Sequence, residues 1–441
     1  MSTSIDPISL EKETVRRVKW HILPFMMVGM VTCFLDRVNI GFAALQMNAD
    51  LHLSPAAFGF AAGVFFLGYF VFEVPSNLMM AKFGPRIWLT RIMLTWGIIA
   101  GVTAFATSAF GLYVIRFLLG IAEAGFFPGL VLYVTYWFRG RDHAHAVSWI
   151  LVGSYTASLI AGPLSGYLLG WGALGLRGWQ WLFIVEGLIP IAFGVVLWLF
   201  WTDRPEQAKW LKPEQKEWLV KSIAAENAAK ETPRRIGVRE ALTRPGTLVL
   251  FSVYFLQGMG NLGMLFWMPQ IFKSVGKDLT PVQIGLLTML PSICLIIGLL
   301  FWSHHSDSTG ERHWHCVGAS LVGCLGLYCF PFATSVPLVV LAICLAGLGI
   351  GGAQGVFWSA ATALLGKREA AAGLALINSG AALGGFTGPY VTGIARGIFG
   401  NYQAAMFILA SALFLVAVIM HAFFVKTGTG RVKEVKVKLQ T

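Results

Sequence analysis

The stretch WHILPFMMVGMVTCFLDRVNIGFAAL, residues 20–45, decides the fold. From Trp20 to Leu35 it holds no acid and no Lys or Arg, and it then sets Asp36 beside Arg37 before turning apolar again. A helix of this length crosses the roughly 30 Å hydrocarbon layer of a bilayer. A membrane β-barrel would instead show short alternating strands. Each charge at the centre of such a helix costs about 2.5–3.5 kcal/mol, so these residues are expected to face a cavity or a partner.

Working outward, runs of the same kind lie near 20–45, 56–80, 87–107, 110–137, 144–170, 179–201, 247–272, 281–303, 314–333, 336–364, 370–395 and 402–425. The spacing predicts twelve transmembrane helices in an all-α polytopic membrane protein. Composition agrees: 56% of the 441 residues are apolar, only 12% are charged, and mean hydropathy is +0.69. So few charges cannot cover a water-soluble surface of this size, which excludes a soluble enzyme, a disordered chain and a small secreted domain. The 50 glycines fit helices that approach closely in lipid. The opening MSTSIDPISLEKETVRRVKW is polar and has no cleavage pattern, so the first run is expected to stay as a span.

The net charge of +12 is informative through its placement. With the N-terminus in the cytoplasm, 27 of the 33 Lys and Arg fall in the tails and cytoplasmic loops, and only Arg177, Lys273, Lys277 and Arg396 lie outside. The positive-inside rule then predicts that both termini are cytoplasmic, in the inner (plasma) membrane. The longest polar stretch divides the chain: a tail 1–19, a six-helix bundle 20–201, a linker 202–246, a second bundle 247–425 and a tail 426–441. Within the linker, Trp210, Leu211, Trp218 and Leu219 stand among charges, which reads as an amphipathic helix lying on the membrane surface.

The halves look duplicated. Gly310 and Arg312 lie 226 positions beyond Gly84 and Arg86, and the same offset carries Gly388-Pro389 onto Gly162-Pro163. Transporters are commonly built from such repeats, with the substrate site at the midplane between them.

Four acids and two bases fall deep inside spans: Asp36, Glu73, Glu123, Glu186, Arg37 and Arg116. Asp36 and Arg37 point about 100° apart on a helix and so serve different contacts. Arg116 and Glu123 share a face two turns apart, roughly 10 Å along the axis, with room for a third group such as Asp36 between them. The offset sends Arg37 to Gly263, Arg116 to Ala342 and Glu123 to Gly349, so the charge belongs to the first half. A buried carboxyl resists ionisation and a neighbouring guanidinium opposes that resistance, which is the chemistry proton coupling needs. Arg37 is the candidate for a substrate carboxylate, because a guanidinium binds carboxylates bidentately. Asp36 and Glu123 are the candidate proton carriers and Arg116 the group that tunes them. The competing reading is that these charges only pair to hold helices together, and for Glu73 and Glu186, each close to a proline, that structural reading is preferred. Polar and aromatic candidates for the cavity are Tyr69, Ser154, Asn261, Gln354, Trp358, Ser359 and Asn378. The six cysteines read as packing residues, with no metal or disulfide pattern. His304, His305 and His421 carry no signal.

The segments LDRVNIGFA (35–43), EVPSNLMMAKFGPRIW (73–88), WGIIAGVTAF (96–105), RFLLGIAEAGFFPGLVLYVTYWF (116–138), GWQWLFIVEGLIP (178–190), DRPEQAKWL (203–211), HSDSTGER (305–312) and INSGAALGGFTGP (377–389) resemble the major facilitator superfamily, and within it the anion:cation symporters of bacteria. The resemblance implies the major facilitator fold, two six-helix bundles, alternating access, and symport of an organic anion with protons, or with sodium in some relatives. It matches the family's span 1 and span 4 acids to Asp36 and Glu123 and its arginines to Arg37 and Arg116. It places Tyr69, Trp358 and Asn378 where relatives contact substrate. Lys82, Arg86, Asp307 and Arg312 match the gating loops, with two departures: Ala81 stands where an Asp is usual and Ser308 where an Arg is. The expected function is therefore import of a small carboxylate such as tartrate, a sugar acid or an aromatic acid. It needs no cofactor beyond the coupling ion, no metal and no nucleic acid, only the lipid bilayer and the solute, and is expected of a monomer. Proton-coupled export of a metabolite or drug is the alternative. An intramembrane enzyme or a transport-like sensor has no supporting motif, since His-Glu-x-x-His and Gly-x-Ser-x-Gly are both missing.

Overall fold

The computed structural model describes residues 7–229, 245–364 and 370–431; parts of the tails and of the linker fall outside the described residues. The fold is a bundle of long helices: α1 (Pro7–Asp50), α2 (Pro55–Phe83), α3 (Pro85–Val102), α4 (Ala109–Glu123), α5 (Phe126–Trp137), α6 (Gly140–Leu168) and α7 (Gly178–Phe200), then α8 (Pro213–Ala229) in the linker, then α9 (Pro245–Val275), α10 (Pro281–Thr309), α11 (His313–Cys329), α12 (Val336–Leu364), α13 (Ala370–Phe399) and α14 (Gln403–Thr427). Among the described residues, eleven spans are long and apolar enough to cross a membrane, with α4 and α5 together forming one of them, and α13 adds a further helix of 30 residues. Ile98, Phe110, Leu199, Leu300, Phe301 and Leu341 are all more than half exposed on the outside, an exterior that a bilayer covers. The chain is a multi-pass membrane protein.

Local signals place the helix ends, and they repeat. Ser54 caps α2 ahead of Pro55, accepting from the Ala57 N–H at 3.1 Å. Thr280, 226 residues on, caps α10 ahead of Pro281. Both helices end on a glycine at positive φ, Gly84 (86°) and Gly310 (68°).

Two spans and the linker depart from the sequence reading. α1 runs back to Pro7, because Thr14 and Val18 are buried and the charged lead-in is tied to the start of α6 through Glu11–Arg139 (3.2 Å) and Lys19–Asp142 (3.3 Å). The fourth span is broken between α4 and α5, where Gly125 adopts φ 86°. A side chain there would also meet Ser76 Oγ at 2.5 Å, so the break requires glycine twice over. The apolar side of the linker meets protein instead of lipid: ahead of α8, Leu211 is buried and Trp210 stacks between His21 (3.9 Å) and Trp137 (5.4 Å), and on α8 Leu219 is buried and Arg139 lies over Trp218 (4.9 Å).

Within the first half α1 lies on α6 and α7, α2 on α4, and α3 on α7; within the second α9 lies on α13 and α14, α10 on α12, and α11 on α12 and α14. Among the described residues, the main contacts between the halves are made by α2–α13, α6–α10 and α1–α9. Their glycine contacts lie toward the face opposite the linker. A Cβ on Gly162 would meet Gly285 O at 2.2 Å, and one on Gly59 would meet Pro389 O at 2.4 Å. The 226 offset exchanges these two contacts, carrying Gly59 to Gly285 and Gly162-Pro163 to Gly388-Pro389. Gly41 meets Phe266 in the same way, and Asn48 donates to Gln270 Oε1 at 3.1 Å.

Candidate functional site

The site is built where α1, α2, α3 and α4 meet inside the first half. Glycines set its geometry: a Cβ on Gly120 would lie 2.0 Å from Phe65 O and one on Gly68 2.3 Å from Phe117 O, so α2 and α4 cross nearly backbone to backbone. That crossing brings the Phe65 ring to 5.1 Å from Arg116 Cζ and 5.6 Å from Arg37 Cζ.

The expected divergence of Asp36 and Arg37 is what the structure places. Arg37 Nε donates to Glu123 Oε1 at 2.5 Å. Asp36 turns to other partners, accepting from Trp96 Nε1 on α3 at 2.9 Å and from Asn39 Nδ2 at 3.0 Å. Asp36, Glu123 and Arg116 are at most 1% exposed. The Arg37 side chain keeps 16% exposure, and its Nη2 has no hydrogen-bond partner. Aromatic faces surround it, Tyr69 at 4.9 Å, Phe34 at 5.3 Å and Phe65. Such rings hold a cation without consuming its N–H donors. Arg116 makes no hydrogen bond through any of its three guanidinium nitrogens and lies within electrostatic reach of both Asp36 and Glu123. A buried cation that two carboxylates share through space, bonded to neither, responds to the charge of each.

Three contributors were not legible as site residues. Trp96 stood only within a quoted motif, although an indole N–H in mid-span must find an acceptor. Cys33, read as packing, donates its thiol to Glu123 Oε1 at 3.0 Å. Glu186 was assigned to the freed backbone around Pro190; its carboxylate instead accepts from Ser165 Oγ at 3.4 Å and faces Asn39 and Asp36. Glu73, half-buried, faces Arg37 and Tyr69 across the wall of α2.

The second half presents neutral groups. Trp358 Nε1 and Gln354 Nε2 both donate to the Tyr254 hydroxyl, at 3.2 and 3.3 Å, and Tyr254 stacks on Phe357. Tyr254 was missed by the sequence reading and faces Tyr155 of the first half. Ser154 Oγ is buried without a partner, and Asn378 is half-buried and belongs to neither network. Ser359 contributes its carbonyl to a loop arginine and no side-chain bond to this group. Where the first half carries its charges, the second is packed closely: a Cβ on Gly349 would lie 2.0 Å from Gly323 N, and one on Gly263 2.9 Å from the Leu409 side chain.

Among the described residues, Lys82, Arg86, Asp307 and Arg312 form no ion pair with one another. Arg312 Nη1 donates to Ser359 O at 2.6 Å, and Asp307 is exposed and forms no ion pair among the described residues. Arg86 donates through Nε and Nη2 to Trp198 O, at 2.9 and 2.6 Å, while its N–H meets Asp203 Oδ1 at 2.7 Å. Lys82 lies 5.5 Å from the Phe83 ring. Both arginines thus satisfy carbonyls near helix ends, where a cation is favoured.

The profile of the Major Facilitator Superfamily matches residues 26–389 and, in a second match, 271–439. A protein of Agrobacterium vitis, provisionally named a tartrate transporter, is 42% identical over 411 residues, covering 93% of this chain and 91% of its own. The quinolone resistance transporter of Acinetobacter baumannii is 34% identical over 432 residues, covering 98% and 99%. Among solved structures, the inward-open xylose transporter XylE from E. coli superposes with a TM-score of 0.73 at 14% identity, covering 91% of this chain and 95% of that one, which is a likeness of fold.

Proposed function

We propose, since the chain belongs to the major facilitator superfamily, that it is a secondary transporter importing a small organic carboxylate by proton symport. The observation that carries this is the Arg37–Glu123 contact: a guanidinium ringed by Tyr69, Phe34 and Phe65 spends one N–H on a buried acid and leaves Nη2 without a partner. An arriving carboxylate competes with Glu123 for that cation. Glu123, losing its partner in a dry site, takes a proton. Anion binding and proton uptake are then one exchange, with no net charge left buried. Asp36 carries the second proton, and Arg116 biases both acids toward release when neither is neutralised. Tyr69, Ser154, Trp358 and Asn378 would line the other side of the solute. With the termini on the cytoplasmic side of the inner membrane, the halves are joined on the outer face, and the solute path opens inward.

The relative provisionally named a tartrate transporter supports a hydroxylated dicarboxylate as the first solute to try. The quinolone resistance transporter supports a second reading, proton-driven export. Both are tested by uptake into proteoliposomes under an imposed inward proton gradient, with radiolabelled tartrate, a hexonate, phthalate, hydroxyphenylacetate and nicotinate. Accumulation of one acid that a protonophore abolishes is the expected result. No uptake of any acid, with a quinolone expelled when the gradient is reversed, would overturn the symport reading.

A further inference from the structure

Glu186 has no place in that exchange, yet it is 2% exposed in mid-helix on α7. Its surroundings are neutral. α6 supplies Ser165, and α1 supplies Asn39, whose Nδ2 also donates to Asp36. The only charge within its reach among the described residues is Asp36 itself, of like sign. α3 packs against α7 there backbone to backbone, through Gly97 and Gly101 on Gly187. Arg37 is already bonded to Glu123, and the reach of Arg116 covers Asp36 and Glu123.

Two orphaned atoms point the same way. Glu186 Oε2 and Asn39 Oδ1 are both buried, both acceptors, and both without a donor. A proton on Glu186 turns one of these acceptors into a donor. Among the described residues the interior also counts three buried carboxyls, Asp36, Glu123 and Glu186, against two guanidiniums, Arg37 and Arg116, before the half-buried Glu73 is added. Like charges at short range in low dielectric cannot both ionise, and such a pair titrates as a unit.

We propose that Glu186 is a further proton-holding carboxyl of the transport machinery, uncharged in this conformation and linked to Asp36 through the Asn39 amide. The two acids hold one proton between them, so the charge on Asp36 is set from α7 as well as from α4. The inference deepens the symport reading and rests on it for its purpose, but its test needs neither substrate nor gradient. Infrared difference spectra of the purified protein in lipid, recorded as pH is changed, read the C=O stretch of protonated carboxyls directly. At neutral pH, Glu186→Gln is expected to remove one such band, and Glu186→Asp to keep it at a displaced frequency. Asp36→Asn should displace the pH at which the band bleaches by roughly one unit, and Asn39→Leu should weaken that dependence. An unchanged band in Glu186→Gln would overturn the proposal, as would a bleaching pH indifferent to Asp36. Glu186→Asp preserves the carboxyl if the amide variant melts early. A protein that transports no acid would fail the symport reading while leaving these spectra as they are.

Discussion

Alanine at Gly162 should act on conformation and leave the fold intact. Its Cβ would stand 2.2 Å from Gly285 O and 2.4 Å from Thr288 Oγ1, where ordinary contact begins near 3.4 Å. Neither neighbour yields easily: one is helix backbone, and the Thr288 hydroxyl donates to Gly285 O at 2.7 Å. Overpacking of this kind costs about 1–3 kcal/mol. The cost exists only while α6 and α10 touch across the halves, so it shifts the equilibrium toward the separated state by roughly 5- to 150-fold. Gly349 is the control. Its Cβ would meet Gly323 N at 2.0 Å, a contact wholly within the second half and present in either state. Gly349→Ala should lower the melting temperature and leave the equilibrium alone. Electron paramagnetic resonance distances between nitroxides at Leu174 and Phe399, both well exposed beyond the closed face, would read the populations once Cys329 is replaced by Ser. The reasoning fails if Gly162→Ala leaves the distance distribution unchanged, or if Gly349→Ala shifts it as far.

Asp36→Asn and Glu123→Gln should each lose pH-driven accumulation of tartrate in proteoliposomes while still binding it; normal accumulation in both would remove these acids from coupling. Arg37→Lys loses the planar fork and should raise the KM for the transported acid by about tenfold or more, since a charged hydrogen bond is worth roughly 1.5–3 kcal/mol; an unchanged KM would put the carboxylate elsewhere. Trp96→Phe leaves Asp36 Oδ2 without its indole donor and should cost about 1–3 kcal/mol of stability in thermal melts, against little for Trp198→Phe at the lipid-facing surface. Trp210→Ala removes the ring between His21 and Trp137 and should speed limited proteolysis of the linker; equal cleavage rates would mean α8 is held by other contacts.

The fold was legible because membrane helices announce themselves one at a time, and because Gly84, Arg86 and Gly162-Pro163 recur 226 residues later. The charged site was half legible for the same reason: an acid in an apolar run is visible without knowing its neighbour. Its partners were not. Trp96, Cys33 and Asn39 are ordinary residues of a membrane helix until the crossing of α2 and α4 at Gly68 and Gly120 draws α1 inward. The break at Gly125 was hidden because glycine is common in every span, and only its φ and the proximity of Ser76 single it out. The linker helix misled because an amphipathic pattern reports that an apolar face is covered, and protein covers it as well as lipid does.

The confinement of charge to one half bears on how the chain enters the membrane. Arg37 and the acid that neutralises it lie 86 residues apart. When α1 leaves the ribosome it carries Asp36 and Arg37 into the bilayer with Trp96 and Glu123 still unmade, at a cost of about 2.5–3.5 kcal/mol for each charge near the centre. The first span is thus a poor anchor until the fourth arrives, and the translocation machinery must shelter it for that interval. The second half, with Gly263 and Gly349 at the equivalent positions, carries no such debt and can insert helix by helix. Biogenesis of this protein is asymmetric even though its architecture is nearly twofold.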